Sequence, residues 1–290
     1  MGIFMQHFSQ KENMFFHCPA NGGDAVARPY AALGPGRRAV AEKGKGAAHE
    51  AKSHPGPETG GVPAMTGFAN VKACLFDAYG TLFDVHSLVG RVAESLGDKA
   101  QTVSSAWRDK QLQYTWLRSL MRAHADFWQV TGAALDYALG LNGIDDAAIH
   151  HELMQAYLTL DAYADVAPAL DELKRRGFKT AILSNGSPHM LSSAVASAGI
   201  GDALDAVLSV EDVGVYKPDP RVYRMAADRF AVEPHQLCFV SANGWDAAGA
   251  AHFGLRVAWL NRFGQKPERL PGKPGAVFKG LDALPPLLAA

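Results

Sequence analysis

The sequence has few cysteines and no long apolar stretch. Its 290 residues include only three cysteines, at positions 18, 74 and 238, and no two of them stand in a CxxC spacing. This arrangement argues against a zinc site, and Cys74 and Cys238 lie inside apolar runs, as buried thiols of a reducing compartment do. No run approaches the roughly 18 consecutive apolar residues of a membrane-spanning helix. Because the beginning of the chain also lacks the basic-then-apolar order of a secretory signal, we expect a cytoplasmic protein.

An excess of charge of either sign is also missing. The chain carries 28 Lys and Arg against 29 Asp and Glu, which gives a net charge of -1. Such a balance provides no field that would gather nucleic acid or hold the protein on an anionic membrane, so we expect a small-molecule partner. Hydrophobic residues make up 48% of the sequence, which is enough for a substantial core and for one or two domains.

The first part of the chain has almost no large apolar residues to bury. From residue 21 to about residue 66 the sequence is dominated by Gly, Pro, Ala and scattered charge. A segment of this composition does not offset the entropy that it would lose on ordering. We therefore interpret residues 1–66 as disordered or as a spurious extension, with Met65 as an alternative start. A regulatory or targeting tail stays open.

Regular patterns begin at Val71, where apolar runs typical of strands start to alternate with segments typical of helices. The predicted strands are VKACLF, FKTAILSN, LDAVLSV, LCFVSAN and LRVAWLN, and the helices between them include PALDELKRRG, SPHMLSSAVASAG, PRVYRMAADRF and GWDAAGAAHFG. This alternation predicts an α/β protein with a parallel sheet covered on both faces. Between the first two strands, residues 85–164 are predicted as a helical insertion, in which one apolar helix face carries Trp107, Leu112, Trp116 and Leu120.

Polar residues follow four of these strands. They are Asp77 after the first strand, Ser184 and Asn185 after the second, the loop 209–217 with Lys217 after the third, and Ser241 and Asn243 after the fourth. Ligands of open α/β sheets bind outside the carboxyl ends of the strands. We therefore predict that these four groups meet at one site, with the helical insertion as its roof.

Five motifs resemble the haloacid dehalogenase superfamily in their order and approximate spacing, and one of them points to its L-2-haloacid dehalogenases. They read DAYGTL at 77–82, WRDKQLQYTWLRSLM at 107–121, LSNGSP at 183–188, YKPDP at 216–220 and SANGWD at 241–246. The resemblance covers about residues 71–288. It implies a Rossmann-like core of residues 67–84 and 165–290 with an inserted helical cap of residues 85–164.

The resemblance implies an enzyme that hydrolyses a carbon–halide bond. Asp77 would attack an (S)-2-haloalkanoic acid, form an aspartyl ester and be freed by water, which yields halide and an (R)-2-hydroxyalkanoic acid. Phosphatases of the superfamily carry a second Asp where this chain has Tyr79. They also gather several carboxylates for magnesium in the loop where this chain has only Asp246. We therefore expect no metal and no other cofactor.

Further residues match the polar site of the family. Arg108 would lie on the halide side, and Lys217 would keep Asp77 ionised. Asp246 would pair with Lys217 and activate the hydrolytic water, and Thr81 would hold the nucleophile. The other expected residues are the catalytic Ser241 and Asn243 and the substrate-binding Ala78, Tyr79, Arg108, Leu112, Phe127, Ser184, Asn185, Tyr223 and Trp245.

Other interpretations stay open at this point. Asp77, Ser184 and Asn185 also suit caps of turns or helices. Arg108 suits a solvated helix face and Lys217 a solvated loop, and Leu112 and Phe127 suit ordinary core packing. A magnesium-dependent phosphatase, another hydrolase of small carboxylic acids, and a non-catalytic binding protein on the same fold are the alternative functions. The family resemblance also suggests a homodimer.

Overall fold

One parallel sheet organises the computed structural model, which describes residues 68–85, 93 and 96–288. Its strands are β1 Ala73–Phe76, β2 Lys179–Ser184, β3 Ala206–Ser209, β4 Leu237–Ser241, β5 Arg256–Leu260 and β6 Ala276–Phe278. Their order across the sheet is β3-β2-β1-β4-β5-β6, and all neighbouring strands are parallel. The predicted α/β class with a Rossmann-like parallel sheet is confirmed. The predicted N-terminal extension, residues 1–66, lies outside the described residues.

The middle of the sheet is fully buried. β1 pairs with β2 on one side and with β4 on the other, and every residue of β1 and β4 is buried. Because side chains of a strand alternate between the two faces of a sheet, both faces must be covered, which explains why these strands are unbroken apolar runs. β6 was not predicted. It has only three residues and follows a segment rich in Gly and Pro, so it offers no recognisable period.

Several helices begin at a polar capping residue. The α-helices of the described residues are α1 Ala100–Met121, α2 Phe127–Leu141, α3 Ala147–Ala156, α4 Val166–Arg175, α5 Pro188–Ala198, α6 Pro220–Phe230, α7 Gly244–Phe253 and α8 Leu284–Leu287. Asp126 caps α2, Asp146 caps α3, and Ser187 and Asp219 cap α5 and α6, each by accepting a hydrogen bond from a first-turn N–H. None of the helices in the described ranges has the length and apolar character needed to cross a bilayer.

The buried face of α1 differs from the predicted one. Its buried side chains follow a spacing of three or four residues: Ala100, Val103, Trp107, Gln111 and Thr115. Leu120 was expected on the apolar face but is 81% exposed, and Leu112 and Trp116 are only partly buried. The prediction is confirmed for Trp107 and wrong for Leu120, because it followed the largest apolar side chains, whereas α1 buries a face that contains the polar residues Gln111 and Thr115.

Along the chain, the helices α1, α2 and α3 come between β1 and β2, inside the segment predicted as a cap. The end of α1 and the loop after it contact the loop after β3. Tyr216 donates its backbone N–H to Ser119 Oγ at 3.2 Å, and His124 Nε2 lies 2.9 Å from Glu211 Oε2. Tyr216 also donates its hydroxyl hydrogen to the Ala125 carbonyl. The helical insertion is therefore tied to the sheet near the carboxyl ends of the strands, while its division from the core as a domain stays a prediction.

Candidate active site

The Asp77 carboxylate, directly after β1, collects donors from three other segments. Its Oδ1 accepts a hydrogen bond from Lys217 Nζ at 3.2 Å. Its Oδ2 accepts from Thr81 Oγ1 at 3.3 Å, from Ser241 Oγ at 3.2 Å and from Asn243 Nδ2 at 2.6 Å. The convergence predicted from the strand ends is confirmed for β1, for the loop after β3 and for β4.

Backbone groups orient two of these donors. The Thr81 hydroxyl accepts from the Ala242 N–H at 2.8 Å, so its own hydrogen remains for Asp77. The Ser241 hydroxyl accepts from the Asn243 N–H at 3.1 Å, and it donates its own hydrogen to Asp77. The donors are therefore fixed before any substrate arrives.

Lys217 lies between two carboxylates. Its side chain is 1% exposed, and its Nζ donates to Asp246 Oδ2 at 2.8 Å as well as to Asp77. Burial favours the neutral amine, but the charges of Asp246 and Asp77 outweigh it and raise the pKa of Lys217 above its usual value. Lys217 is therefore an ammonium at neutral pH and compensates both acids.

Asp246 is wholly buried on α7. Its Oδ1 accepts from the Tyr223 hydroxyl at 2.7 Å. Burial raises the pKa of Asp246 to about 6, and the nearby charge of Asp77 also raises it, whereas Lys217 and Tyr223 oppose the shift. The pKa of Lys217 is raised because two anionic neighbours stabilise its charged form. The pKa of Asp246 is also raised, because complete burial and the negative charge of Asp77 outweigh the stabilising effect of Lys217. Asp246 is thus ionised at neutral pH but easily protonated.

Gly249 allows Tyr223 to approach α7 closely. A Cβ atom at this position would stand 2.9 Å from the Tyr223 hydroxyl and 2.6 Å from Pro218 Cβ. Burial, with the charge of Asp246 as the next cause, raises the pKa of Tyr223 well above its ordinary value. The phenol therefore keeps its hydrogen and remains a donor to Asp246.

Arg108 brings the helical insertion to the site. Its Nη2 donates to Asn243 Oδ1 at 3.3 Å, and Asn243 in turn donates to Asp77. Its Nη1 donates to Gln111 Oε1 at 2.7 Å, one contact on α1 itself. The guanidinium is therefore one side chain away from the Asp77 carboxylate.

A family model described as a haloacid dehalogenase-like hydrolase matches residues 71–254. The chain belongs to this family. It is 45% identical over 221 residues to (S)-2-haloacid dehalogenase 4A of Burkholderia cepacia, covering 76% of this chain and 96% of that protein. It is 47% identical over 215 residues to the (S)-2-haloacid dehalogenase of Pseudomonas sp. (strain YL), covering 74% and 93%. The structure of the L-2-haloacid dehalogenase from Xanthobacter autotrophicus with covalently bound chloropropionic acid matches with a TM-score of 0.71 at 39% identity, covering 75% and 98%. The predicted resemblance is confirmed.

Two aromatic clusters join residues that follow β1 and β4 to the helical insertion. The Tyr79 ring is stacked on Phe127 at 6.0 Å and tilted against Tyr157 at 5.6 Å, and Trp245 meets Trp116 edge-on at 5.4 Å. The Tyr79 hydroxyl and both indole N–H groups are buried without a hydrogen-bond partner among the described residues. Leu112, one turn after Arg108, is partly buried. The structure thus places Tyr79, Phe127 and Trp245 in aromatic clusters, and a substrate contact stays a prediction for each.

Three of the residues predicted to bind substrate, Asn185, Ser184 and Ala78, accept backbone hydrogen bonds that stabilise the turns of the site. Asn185 Oδ1 accepts from the Lys217 backbone N–H at 3.1 Å, so it holds the lysine loop. Ser184 Oγ accepts from the Gly186 N–H at 3.0 Å, and the Ala78 carbonyl accepts the N–H groups of the turn after it. Their contact with substrate stays a prediction.

Within the described residues, no group of three or more His, Cys, Asp or Glu side chains is arranged to hold a metal ion. The Lys217 ammonium occupies the position between Asp77 and Asp246 where a cation would bridge them. Sequence reasoning did not identify the polar side chains Gln111 and Tyr157 behind Arg108. The signal for Gln111 was its spacing of four residues from Trp107, which places both on one helix face.

Proposed function

We propose that the protein hydrolyses (S)-2-haloalkanoic acids to (R)-2-hydroxyalkanoic acids and halide through an ester on Asp77. The unequal environment of the two carboxylate oxygens carries this proposal. Oδ2 accepts three hydrogen bonds, whereas Oδ1 accepts one, from Lys217, among the contacts of the described residues. A carboxylate held in one orientation with one less encumbered oxygen suits attack on carbon. The (S)-2-haloacid dehalogenases among its relatives support the same chemistry.

In the first half-reaction, Oδ1 of Asp77 attacks C2 of the substrate. The new C–O bond forms while the carbon–halogen bond breaks, and the halide leaves with the bonding electron pair. Because negative charge moves from the carboxylate to the halide, fixed positive charge is needed on the leaving side. Arg108 suits this role since it is a cation that reaches from α1 to Asn243, a direct partner of the Asp77 carboxylate. Aligned attack of this kind removes about 7–11 kcal/mol of barrier.

In the second half-reaction, water attacks the Asp77 carbonyl carbon and charge develops on Oδ2. Thr81, Ser241 and Asn243 already donate to this oxygen, so they serve as an oxyanion hole. Asp246 accepts one proton of the water, which its pKa of about 6 permits at neutral pH, and passes it to solvent. The departing hydroxy-acid oxygen takes the other proton. C2 is attacked only once, so its configuration inverts.

The aromatic side chains and the strand-end turns suit the remaining parts of a 2-haloacid. Tyr79 and Phe127 form an apolar wall for the alkyl group and the halogen, together with Leu112 and Trp245. The substrate carboxylate would be bound near Ser184 and Asn185, at the beginning of α5.

A halide assay with both enantiomers of 2-chloropropionate tests the activity. We expect chloride from the (S) form only, at the same rate with and without EDTA, and no chloride from the Asp77→Asn variant after a check for deamidation. Phosphate release from p-nitrophenyl phosphate that requires magnesium, without chloride release, would instead favour the phosphatase alternative.

One turnover in oxygen-18 water with excess enzyme tests the ester. We expect the label in the peptide that contains Asp77, because water attacks the enzyme's own carbonyl. Label found only in the hydroxy acid would mean direct attack of water on the substrate, and the role of Asp77 as a nucleophile would be wrong.

We also propose a homodimer in the cytoplasm. Leu117, Leu120 and Met121 of α1 are 45%, 81% and 71% exposed and follow a helical spacing, as do Tyr137 and Leu141 of α2. A pair of exposed apolar helix faces supports association with a second copy. The free, buried thiols of two cysteines support a reducing compartment.

A further inference from the structure

A buried amide stands behind Arg108. The Gln111 side chain is 0% exposed and has three polar partners. Its Oε1 accepts from Arg108 Nη1 at 2.7 Å and from the Tyr157 hydroxyl at 3.4 Å. Its Nε2 donates to Thr131 Oγ1 at 2.8 Å. Gln111 therefore joins α1 to α2 and to the segment after α3.

The hydrogen bonds fix which way the amide points. The Thr131 hydroxyl donates its single hydrogen to the Phe127 carbonyl at 2.6 Å, so it can only accept from Gln111. The amide nitrogen must then face Thr131, and Oε1 must face the guanidinium. Arg108 and the Tyr157 hydroxyl both donate to Gln111 Oε1. A flipped amide would therefore place its N–H groups against both of these donors.

Arg108 is held at two points of its guanidinium plane. Nη1 is bonded to Gln111 on its own helix, and Nη2 is bonded to Asn243 of the nucleophile site. Asn243 Oδ1 alone fixes one end of a flexible side chain, whereas two acceptors on different nitrogens fix the plane. Burying an amide at position 111 is costly unless all its groups are paired, and an apolar residue would serve the packing of α1 on α2. The hydrogen bond to Arg108 explains why a buried amide, and not an apolar side chain, is found at position 111.

We propose that Gln111 is a positioning residue that aims Arg108 at the departing halide. It touches neither the substrate nor the halide and acts through the guanidinium. The inference rests on the proposed dehalogenase function, and it assigns a part of the helical insertion to the first half-reaction.

Three variants of α1 separate positioning from simple stability. Gln111→Met keeps the length and volume of the side chain but removes the acceptor. Gln111→Glu restores an acceptor for Arg108 and for the Tyr157 hydroxyl, and Thr131 donates to the second carboxylate oxygen only after its hydroxyl turns away from the Phe127 carbonyl. Thr115→Val is the matched control, because Thr115 is equally buried on the same face and its hydroxyl contacts only the Leu112 carbonyl of its own helix among the contacts described.

The readouts are kcat and KM for chloride release from (S)-2-chloropropionate, with the melting temperature of each variant. We expect Gln111→Met to lower kcat/KM by about 10- to 100-fold, mainly through kcat, because misplacement of a group at the reacting centre costs up to ~100-fold. Gln111→Glu should stay within about 10-fold of the parent, and Thr115→Val should match the parent. A residue that only stabilises the fold predicts the opposite order, since a new buried charge harms stability more than a buried thioether.

The inference is overturned if Gln111→Met matches the parent in kcat/KM, or if activity across the variants follows the melting temperature alone. If Gln111→Met does not fold, Thr131→Val removes the acceptor of the amide nitrogen, so that Gln111 is held only by its contacts with Arg108 and Tyr157 and positions the guanidinium less firmly. It should lower kcat/KM by about 3- to 10-fold, and an unchanged value would equally contradict the inference. A parent protein that releases no chloride refutes the proposed function, whereas an active parent with unaffected variants refutes only the role of Gln111.

Discussion

Replacing Tyr223 with Phe removes a wholly buried hydrogen bond of 2.7 Å to the Asp246 carboxylate, together with a longer contact of 3.4 Å to the Asp246 backbone carbonyl. A hydrogen bond to a charged group contributes about 1.5–3 kcal/mol, and one pKa unit corresponds to about 1.4 kcal/mol. Since this bond holds down the pKa of Asp246, which is about 6, its loss should raise that pKa by about one to two units. Asp246 accepts a proton only when ionised. The parent should therefore lose rate as the pH falls through about 6, and the variant should lose it at a pH one to two units higher.

The assay is kcat for chloride release between about pH 5 and pH 9, with single-turnover ester hydrolysis at the same pH values. Tyr223→Phe should be slow at pH 7 and recover most of its rate at alkaline pH. Tyr137→Phe, which removes a half-exposed phenol of α2, should keep the parent profile. If the acid limb of Tyr223→Phe coincides with that of the parent, or if the variant is slower by one constant factor at every pH, Asp246 is not the base.

Three further predictions concern the oxyanion hole, the fold and the assembly. Asn243→Ala should slow ester hydrolysis by about 100-fold, so mass spectrometry should detect the adduct on Asp77; no adduct during turnover would contradict this. Arg262→Met should lower the free energy of unfolding by about 2–3 kcal/mol at pH 7, because Arg262 donates to Asp165 at 2.7 and 2.9 Å. Burial alone would raise the pKa of Asp165, but its hydrogen bonds with Arg262 lower it, so the ion pair stabilises the fold only while Asp165 is ionised. The difference in unfolding free energy between the parent and Arg262→Met should therefore shrink in denaturation curves recorded below the pKa of Asp165 in the unfolded chain. Leu120→Glu should give monomers by light scattering, and an unchanged mass would exclude this face from the dimer.

The sheet and the nucleophile site could be predicted because both depend on local signals. β1 and β4 are short apolar runs that end in polar residues, and the topology of a parallel sheet brings such ends to one edge. Asp77, Ser241 and Asn243 were therefore found together without any knowledge of their distances.

The contacts behind Arg108 could not be predicted in the same way. Gln111 lies among other polar residues of α1, and its spacing of four residues from Trp107 indicates the shared helix face but not the partners of the amide. Its partners Thr131 and Tyr157 are 20 and 46 residues away, so no local period connects them. Leu120 was misplaced for the related reason that an apolar side chain was equated with a buried one, although folded proteins expose many apolar atoms.

Asp77 and the three charged side chains described beside it form the nucleophile site, and of these four Arg108 is the one that comes from the helical insertion. With it, the positive charges of Arg108 and Lys217 cancel the negative charges of Asp77 and Asp246; without it, the cleft keeps one surplus negative charge. The cleft therefore owes its electrical neutrality to α1, since the other three charges alone would repel a halide and a hydroxy acid, which are both anionic.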